Sequence, residues 1–340
     1  MRMHENAQYT IGLDYGSLSC RGVMADVRSG QVIAEAMLAY PHAVMDKQLP
    51  DGTPLHGEWC LQHPDDFILA LETVVPELMR KSGIAKEQII GIGVGVPGPV
   101  DDLGVVNQCV NLGWGKVDIQ KELSELTGFP VKAGNDANVA ALGECWQGGA
   151  KGYANIVMAT LGTGIGGGIV VKGKIINGIH GAGGEIGHIT LEPGETEACG
   201  CGKCGCAEQY CSATGIVRLA RRYLAEYTDP SVLRHMMDME CKDIFAAAEK
   251  KDVAACAILE QVYKYLGLLL ANVCCVIDPE VILLGGGVSK AGEPLIVGTM
   301  KYFERYAFHA CRSTKIRLAE LGNDAGVYGA FKLILNEYAE

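Results

Sequence analysis

The sequence predicts an α/β protein that contains two related halves. Apolar runs rich in β-branched residues end in glycine-rich turns, and amphipathic helical segments follow them. One pattern occurs twice, at 9–27 and at 154–178: a buried strand, a turn of small residues and a returning strand. The two copies begin about 150 residues apart, which indicates an internal duplication. A length of 340 residues is sufficient for two domains.

Periodicity places the elements of the first half. Continuous apolar runs predict buried strands, and an apolar stripe with terminal capping signals predicts a helix. The stretch 41–64 is rich in proline, glycine and aspartate and has no periodicity, so it is predicted as a long connection. In chain order, the predicted elements are strands at 9–14, 20–27 and 31–40, a helix from Pro64 to Gly83, a strand at 89–96, a helix from Asp118 to Thr127, a strand at 130–134 and a helix that opens at 135–138.

The second half begins with the repeated hairpin and then becomes mainly helical. A strand, a glycine triplet and a helical segment follow one another at 278–292, a turn that lets the backbone approach a ligand closely. The predicted elements are the hairpin at 154–178, helices at 212–227, 243–250 and 254–275, the strand–glycine–helix unit at 278–292, a strand at 315–321 and a closing helix at 322–339.

Charge and hydropathy argue against two classes of function. The net charge is −11 and no basic run occurs, which argues against a nucleic-acid surface. No uncharged apolar stretch reaches about 18 residues, so no membrane span is predicted. The N-terminus lacks the apolar core of a signal peptide. Apart from the group at 199–211, most of the 14 cysteines are scattered in apolar runs as reduced thiols are, which predicts a cytoplasmic protein.

Three turns are candidates for binding phosphate. Asp14 ends the first strand and precedes a glycine–serine turn, and the hairpin at 154–178 contains the turn 161–168. The glycine triplet 285–287 follows a later strand. Backbone N–H groups and hydroxyls in such turns can surround a phosphate. Each signal is weak alone, because an ordinary tight hairpin has the same composition.

Polar residues accumulate at the start of one predicted helix. Asn135, Asp136 and Asn138 open the segment. Asn and Asp at a helix start commonly cap it, and capping alone is one interpretation. Three such residues exceed what a cap needs, so a chemical role for Asp136 is the other interpretation. The helix start would lower the pKa of a carboxylate and keep it ionised.

A cluster of soft ligands follows. His188, Cys199, Cys201, Cys204 and Cys206 fall within one short stretch, with glycines between the cysteines. A structural zinc ion takes four such ligands in a tetrahedron, so a loop closed by zinc is predicted. A disulfide knot or a set of buried free thiols is the alternative. Two carboxylates, at 185 and 208, flank the loop.

Several spaced motifs together resemble one family. They are LGTGIGGG (161–168), NDANVAALGE (135–144), GAGGEIGH (181–188), CGCGKCGCAE (199–208) and VILLGGG (281–287). This combination resembles the ROK family, which contains bacterial glucokinases, related hexose and N-acetylhexosamine kinases, and sugar-responsive repressors. The resemblance covers about 89–340.

The N-terminal part differs from that family, whose members usually begin with Asp-x-Gly-Gly-Thr-Lys. This chain has DYGSLS at 14–19 instead. GLDYGSLSCRG (12–22), YPHAVMDKQLPDGTPL (40–55) and EWCLQHPDDF (58–67) resemble bacterial L-ribulokinase of the FGGY family. We therefore interpret the chain as a chimera of two sugar kinases, ribulokinase-like over about 1–92.

The resemblance also implies a fold. Both families share the two-lobed actin-like ATPase (ribonuclease H-like) fold, an α/β architecture in which each lobe is a mixed sheet flanked by helices. The implied domains are a small N-terminal lobe at 1–132, completed by the C-terminal helix 325–340, and a large lobe at 133–324 that carries the sugar, zinc and nucleotide motifs.

Site residues follow from the resemblance position by position. Asp136 is implied as the general base. The implied sugar ligands are Gly98, Asn111, Asn135, Asp136, Glu185, His188 and Glu208. The implied ligands of the ATP phosphates, with Mg²⁺ near Asp14, are Asp14, Gly16, Ser17, Gly162, Thr163 and Gly164, and those of the nucleoside are Gly285, Gly286 and Gly287. The implied zinc ligands are His188, Cys199, Cys201 and Cys206, with Cys204 left out.

The expected activity is transfer of the γ-phosphoryl group of ATP to the 6-hydroxyl of glucose, a step of carbohydrate metabolism and glycolysis. ATP, Mg²⁺ and a structural Zn²⁺ are the expected cofactors. A cytoplasmic homodimer that binds neither nucleic acid nor membrane is expected. The alternatives are another hexose or N-acetylhexosamine kinase, a folded but catalytically impaired chimera and, less favoured, a sugar-responsive repressor or a ribulokinase.

Overall fold

The structure is a computed structural model that describes residues 8–16, 18–45, 47–49, 51–55, 61–106 and 115–337. Two predicted site residues, Ser17 and Asn111, lie outside the described residues. The chain divides into two compact units. Unit 1 comprises Met1–Gly148, Lys174–Gly183 and Asn323–Glu340, and unit 2 comprises Gly149–Gly173 and Gly184–Gly322.

The described part of the chain contains both strands and α-helices. The strands are β1 (Tyr9–Tyr15), β2 (Ser19–Asp26), β3 (Val32–Ala39), β4 (Val44–Met45), β5 (Leu61–Gln62), β6 (Ile89–Val96), β7 (Val105–Val106), β8 (Val117–Asp118), β9 (Val131–Asn135), β10 (Ile156–Leu161), β11 (Ile165–Val171), β12 (Lys174–Ile175), β13 (Val281–Gly285) and β14 (Lys315–Leu318). The α-helices are α1 (Pro64–Ser82), α2 (Ile119–Thr127), α3 (Asp136–Gln147), α4 (Glu208–Cys211), α5 (Ala213–Glu226), α6 (Cys241–Glu249), α7 (Val253–Ile277), α8 (Glu293–Tyr306) and α9 (Ala325–Asn336).

Unit 1 is built on a mixed sheet with the strand order β3-β2-β1-β6-β9. β1, β2 and β3 form an antiparallel meander, and β1, β6 and β9 run parallel. β6 is buried along its whole length, as its unbroken apolar sequence predicts for a strand covered on both faces. α1 begins at Pro64 and ends at Ser82, and Gly83, with a φ of 66°, caps it in the left-handed conformation. The hairpin and both helix ends are where the sequence predicted them.

Helix α9 returns the end of the chain to unit 1. It packs against α3 and β6 at glycines that leave no space for a methyl group. A Cβ on Gly329 would lie 1.7 Å from the Val139 carbonyl oxygen, and one on Gly93 would lie 1.8 Å from that of Ala330. α3 packs with α9 inside unit 1, and the first segment of that unit therefore extends to Gly148. The resemblance placed the lobe boundary at 132–133.

Replacing Gly329 by alanine is therefore expected to lower the free energy of unfolding by about 3 kcal/mol, because overpacking a backbone-to-backbone contact forces the helices apart. Gly115→Ala is the matched control, since a Cβ there meets nothing within 4 Å. Urea unfolding followed by circular dichroism measures both. Equal midpoints for the two variants would show that α3 and α9 can separate without cost.

Unit 2 contains the second mixed sheet, in which the order β11-β10-β13-β14 repeats a hairpin followed by parallel strands. By length and composition alone, α7 is long and apolar enough to cross a membrane, and half of its most apolar stretch is buried. Its inner face, with Ile258, Leu266 and Leu270, belongs to the core of this unit. We therefore assign α7 as a core helix.

Three features of the described fold differ from the sequence prediction. The glycine triplet after β13 leads into a short 3₁₀ turn, Val288–Ala291, and not directly into a helix. Gly292, with a φ of 72°, ends that turn, and α8 begins at Glu293. α8 was not predicted. Within the long connection, the two-residue strands β4 and β5 pair with each other.

Candidate functional site

In unit 1 the predicted site residues come together at one edge of the sheet. β1, β6 and β9 are parallel, with Asp14 opposite Gly95 and Val96 opposite Asn135. The carboxyl ends of these strands therefore meet at the same edge, where ligands bind in open α/β sheets. Asp14, Gly98 and Asp136 all lie at or just beyond those ends.

Asn135 caps α3 and fixes the neighbouring loop. Its Oδ1 accepts a hydrogen bond from the Asn138 N–H at 3.1 Å, and its Nδ2 donates to the Gly98 carbonyl at 3.1 Å. Gly98 has a φ of 91°, a conformation that glycine adopts without strain. The Asn138 side chain donates to the Gly183 carbonyl at 3.0 Å. The side-chain amides of Asn135 and Asn138 thus hold in place the loops that contain Gly98 and Gly183.

Asp136 is the first residue of α3 and is exposed. Its Oδ1 accepts the N–H of the adjacent Ala137 at 2.8 Å. Because Asn135 supplies the cap, the carboxylate of Asp136 is not required for it. The helix N-terminus nevertheless favours a negative charge at this position. The arrangement suits an ionised carboxylate that accepts a proton from a bound hydroxyl.

Asp14 is half-buried at the end of β1. Burial raises its pKa, and the positive charge of Arg21, which stands opposite on β2, acts in the other direction. Arg21 itself is held by Asp324 and by Glu35, the latter at 3.2 Å. A carboxylate kept partly dehydrated beside a glycine turn is a suitable ligand for a cation that accompanies phosphate. In the same turn, Gly16 donates its N–H to the Ser19 carbonyl at 3.0 Å.

On the role that the resemblance implies for Asp14, beside Mg²⁺ and the ATP phosphates, Asp14→Asn is expected to lower ATP-dependent turnover by about 100-fold, because the charge at that position is lost. Its melting temperature is expected to stay equal or rise, since burial penalises the charged carboxylate. Asp238→Asn, at an exposed position, is the matched control. Thermal unfolding and initial rates, measured on both variants, check the two expectations. A lower melting temperature for Asp14→Asn alone would show that Asp14 is needed for the fold.

In unit 2 the phosphate-turn candidates also share a sheet edge. β10 and β13 are parallel, with Thr160 opposite Gly285. Gly286 has a φ of 81°, and a Cβ there would lie 2.6 Å from the Leu161 carbonyl oxygen. The glycine triplet is therefore in backbone contact with the last residue of β10, which directly precedes the turn 162–164. Gly285 is the buried last residue of β13, and Gly287 faces open space.

The metal-ligand candidates of unit 2 form a tight group. One ligand atom each from His188, Cys199, Cys201 and Cys206 lies within 4.8 Å of all the others. The Cys201 and Cys206 sulfurs are 3.6 Å apart, and Cys199 Sγ is 3.8 Å from His188 Nδ1. Cys204 is not in the group that the described residues form; it faces Ala198 in an isolated β-bridge.

The donor set and its spacing fit zinc. Tetrahedral bonds of about 2.3 Å place two sulfur ligands about 3.8 Å apart, close to the observed separations. The described cysteines are free thiols, so the disulfide alternative does not describe this structure. Burial, aided by the Glu208 carboxylate, raises the pKa of Cys199, and burial raises that of Cys206. Metal binding would displace those protons.

The predicted sugar-binding residues of unit 2 surround His188. Its Nδ1 faces the sulfur group and Glu208, the latter at 3.5 Å, whereas its Nε2 lies 3.9 Å from Glu185. The two ring nitrogens thus face different groups, which accommodates the two roles that the resemblance implies for His188. Glu208 also accepts the Ile165 N–H at 3.3 Å and lies 2.8 Å from Cys199 Sγ. It therefore links the loop 188–206, which is called the metal loop below, to the turn after β10.

Sequence reasoning missed a second anchor of the metal loop. The carboxylate of Glu195 is only 4% exposed and lies 2.6 Å from Arg218 and 2.7 Å from Arg222, both on α5. Tyr210 donates to it at 2.9 Å. Hydrogen bonds from Arg222 and Arg218 hold the pKa of Glu195 well below its usual range, although burial of the carboxylate acts in the opposite direction. The arginines' i, i+4 spacing was visible in the sequence, but nothing there identified their partner.

Comparison with known proteins places the chain among sugar-handling relatives. The ROK family profile matches residues 58–337. A glucokinase of Halalkalibacterium halodurans is 43% identical over 256 residues, which are 74% of this chain and 77% of that protein. A ROK hexokinase from Thermus thermophilus has a TM-score of 0.77 at 29% identity and covers 97% of this chain and 99% of its own. A ROK family glucokinase from Streptomyces griseus, in complex with glucose and AMPPNP, has a TM-score of 0.70 at 28% identity and covers 96% and 98% respectively.

The fold and the site define a protein of the two-lobed actin-like ATPase class, in which each lobe is a mixed sheet flanked by helices. Within that class, the chain belongs to the ROK family. The ROK part of the predicted resemblance is thereby confirmed. The match begins at residue 58 and so includes part of the segment 1–92. The ribulokinase-like origin of that segment stays a prediction.

Proposed function

We propose that this chain is an ATP-dependent glucose kinase that transfers the γ-phosphoryl group of ATP to the 6-hydroxyl of glucose. The observation that carries the proposal is the exposed Asp136 carboxylate at the start of α3, beside the cap made by Asn135. The similarity to glucokinases supports ATP as the phosphoryl donor and glucose as the acceptor. Phosphoryl transfer needs little covalent chemistry from a protein, which mainly positions the groups and neutralises charge.

Asp136 acts in this proposal as the general base. Its carboxylate accepts the proton of the 6-hydroxyl as the oxygen attacks phosphorus. Carboxylates also suit the vicinal hydroxyls of a sugar, because each can accept two hydrogen bonds. The remaining sugar ligands are proposed to be Gly98, Asn111, Asn135, Glu185, His188 and Glu208.

Nucleotide binding is assigned to the glycine turns. We propose that Asp14, with Mg²⁺ near it, Gly16 and Ser17 bind phosphate in unit 1, and that Gly162, Thr163 and Gly164 do so in unit 2. Gly286, which the backbone contact with Leu161 restricts to glycine, and its neighbours Gly285 and Gly287 are proposed to face the nucleoside.

Zinc is proposed as a structural ion held by His188, Cys199, Cys201 and Cys206. A closed set of protein ligands leaves no open position for substrate, so the ion supplies stability to the loop and no reactive group. The loop carries Glu208 at its end, 2.8 Å from Cys199 Sγ. Holding this carboxylate in place is the function proposed for the metal.

The finer expectations also remain proposals. They are the cytoplasmic location, the homodimer, the role in glycolysis, the lobe division at 132–133 and the chimeric origin of about 1–92. The family match begins at residue 58, inside that last segment, and gives no support for a chimeric origin; the phosphate turn predicted in the segment is the hairpin of Asp14. An impaired chimera would show its fault there, as weak nucleotide binding with normal sugar binding.

A panel of sugars tests the proposed activity. Purified protein is incubated with ATP, Mg²⁺ and glucose, mannose, N-acetylglucosamine, N-acetylmannosamine or ribulose, and ADP release and the phosphorylated product are followed by coupled assay and ³¹P NMR. Glucose 6-phosphate as the preferred product supports the proposal. A preference for an N-acetylated sugar would establish the alternative specificity, and absence of any product would reject the kinase.

A further inference from the structure

The turn after β10 is held from one side by the start of α5. Ala213 donates its N–H to the Gly162 carbonyl at 2.8 Å, and the Thr214 hydroxyl donates to the Thr163 carbonyl at 2.7 Å. Two successive carbonyls of the turn are thus bound by the first two residues of one helix. Gly162 also donates its own N–H to the Gly164 carbonyl at 3.0 Å, which closes the turn.

These two hydrogen bonds decide where the amide groups of the turn point. A trans peptide unit is planar, and its C=O and N–H point in opposite directions. Because the carbonyls of Gly162 and Thr163 face α5, the N–H groups of Thr163 and Gly164 face away from it. Within the described residues, neither N–H donates to a protein acceptor. Successive amides aligned in this way form a concave anion-binding nest.

We propose that Thr214 is a positioning residue for the phosphate turn. Its hydroxyl holds the peptide between Thr163 and Gly164 in the orientation that directs both amide N–H groups towards a nucleotide phosphate. This inference rests on the proposed function, since it assigns the turn to ATP. Thr214 itself does not contact the phosphate; it acts through the Thr163 carbonyl.

The hydroxyl is needed because the turn could otherwise rotate. Glycines flank Thr163 on both sides, and glycine populates positive and negative φ about equally, so this peptide can flip at little cost. The opposite end of the turn is held separately, by the Ile165 N–H and the Glu208 carboxylate at 3.3 Å. Loss of the Thr214 bond therefore affects the middle of the turn and leaves its far end in place.

Thr214→Val and Thr214→Ser test the proposal, since valine removes the hydroxyl at nearly constant shape and serine retains it. Loss of the hydrogen bond to the Thr163 carbonyl is expected to raise the KM for ATP and the dissociation constant of ATP about five-fold in Thr214→Val. The second contact of this hydroxyl, with Ser212 Oγ at 3.1 Å, does not involve the turn. Thr214→Ser is expected to remain near the wild type. The KM for glucose and the zinc content should be unchanged in both.

Thr299→Val is the matched control, because the buried Thr299 hydroxyl has no hydrogen-bond partner among the described residues. Equal ATP affinity in Thr214→Val and wild type would overturn the proposal. So would a serine variant as weak as the valine variant, or equal rises in the KM values for ATP and glucose. The ATP titration needs no turnover, so it decides this inference even if the wild type phosphorylates no sugar.

Discussion

Asp136→Asn is expected to lower kcat about 1,000-fold, within the range that a general base contributes. The amide keeps the size and the hydrogen-bonding capacity of the side chain, including acceptance of the Ala137 N–H. It cannot take up the proton of the attacking hydroxyl. The dissociation constant of glucose is therefore expected to change by no more than about three-fold, since one charged hydrogen bond becomes neutral. Initial rates at saturating substrates give kcat, and a glucose titration gives the dissociation constant of glucose.

Asp118→Asn is the matched control for this substitution. Asp118 likewise lies at a helix N-terminus, where it caps α2 and its carboxylate accepts the Lys121 N–H at 3.0 Å. Asparagine caps helices as well as aspartate does, so the control should be fully active and equally stable. If Asp136→Asn retained turnover within ten-fold of the control, the base would have to be another residue, and the proposed mechanism would be wrong.

Local pattern was sufficient to predict the elements that carry the site. β1, β6 and α3 were predicted because their apolar runs and terminal residues specify each of them within a short window. The ligand group was predictable for the same reason. The density of cysteines and glycines indicated a metal loop with five candidate ligands, and the resemblance left out Cys204; the structure groups the other four.

Contacts between distant parts of the chain were not predictable from pattern. Glu195 lies in an aperiodic loop, and its partners Arg218 and Arg222 belong to α5. Glycine weakens an isolated helix, yet Gly329 is the place where α9 meets the backbone of α3. Each depends on a pairing over long sequence separation, which no local window contains.

Zinc binding in the metal loop is expected to depend on each of its four proposed ligands. Cys201→Ser is expected to lower zinc affinity at least about 100-fold, because the loss of a direct ligand exceeds the effect of losing an outer partner. Cys201 is exposed, so the substitution itself disturbs little packing. Without the ion, the loop that ends in Glu208 is no longer closed by the metal, and the KM for glucose is expected to rise about ten-fold or more. Metal analysis by mass spectrometry and initial rates at varied glucose check this.

Cys204→Ser provides the matched control in the same loop, since Cys204 is only two residues from the ligand Cys206 but does not belong to the group. It should keep zinc and full activity. Treatment of the wild type with a chelator should reproduce the Cys201 variant, and added zinc should restore the wild type. The buried Glu195 pairs with α5 on the other side of the loop, so the fold of unit 2 should survive removal of the metal. A chelated protein that still bound glucose normally would mean that this second anchor alone positions Glu208.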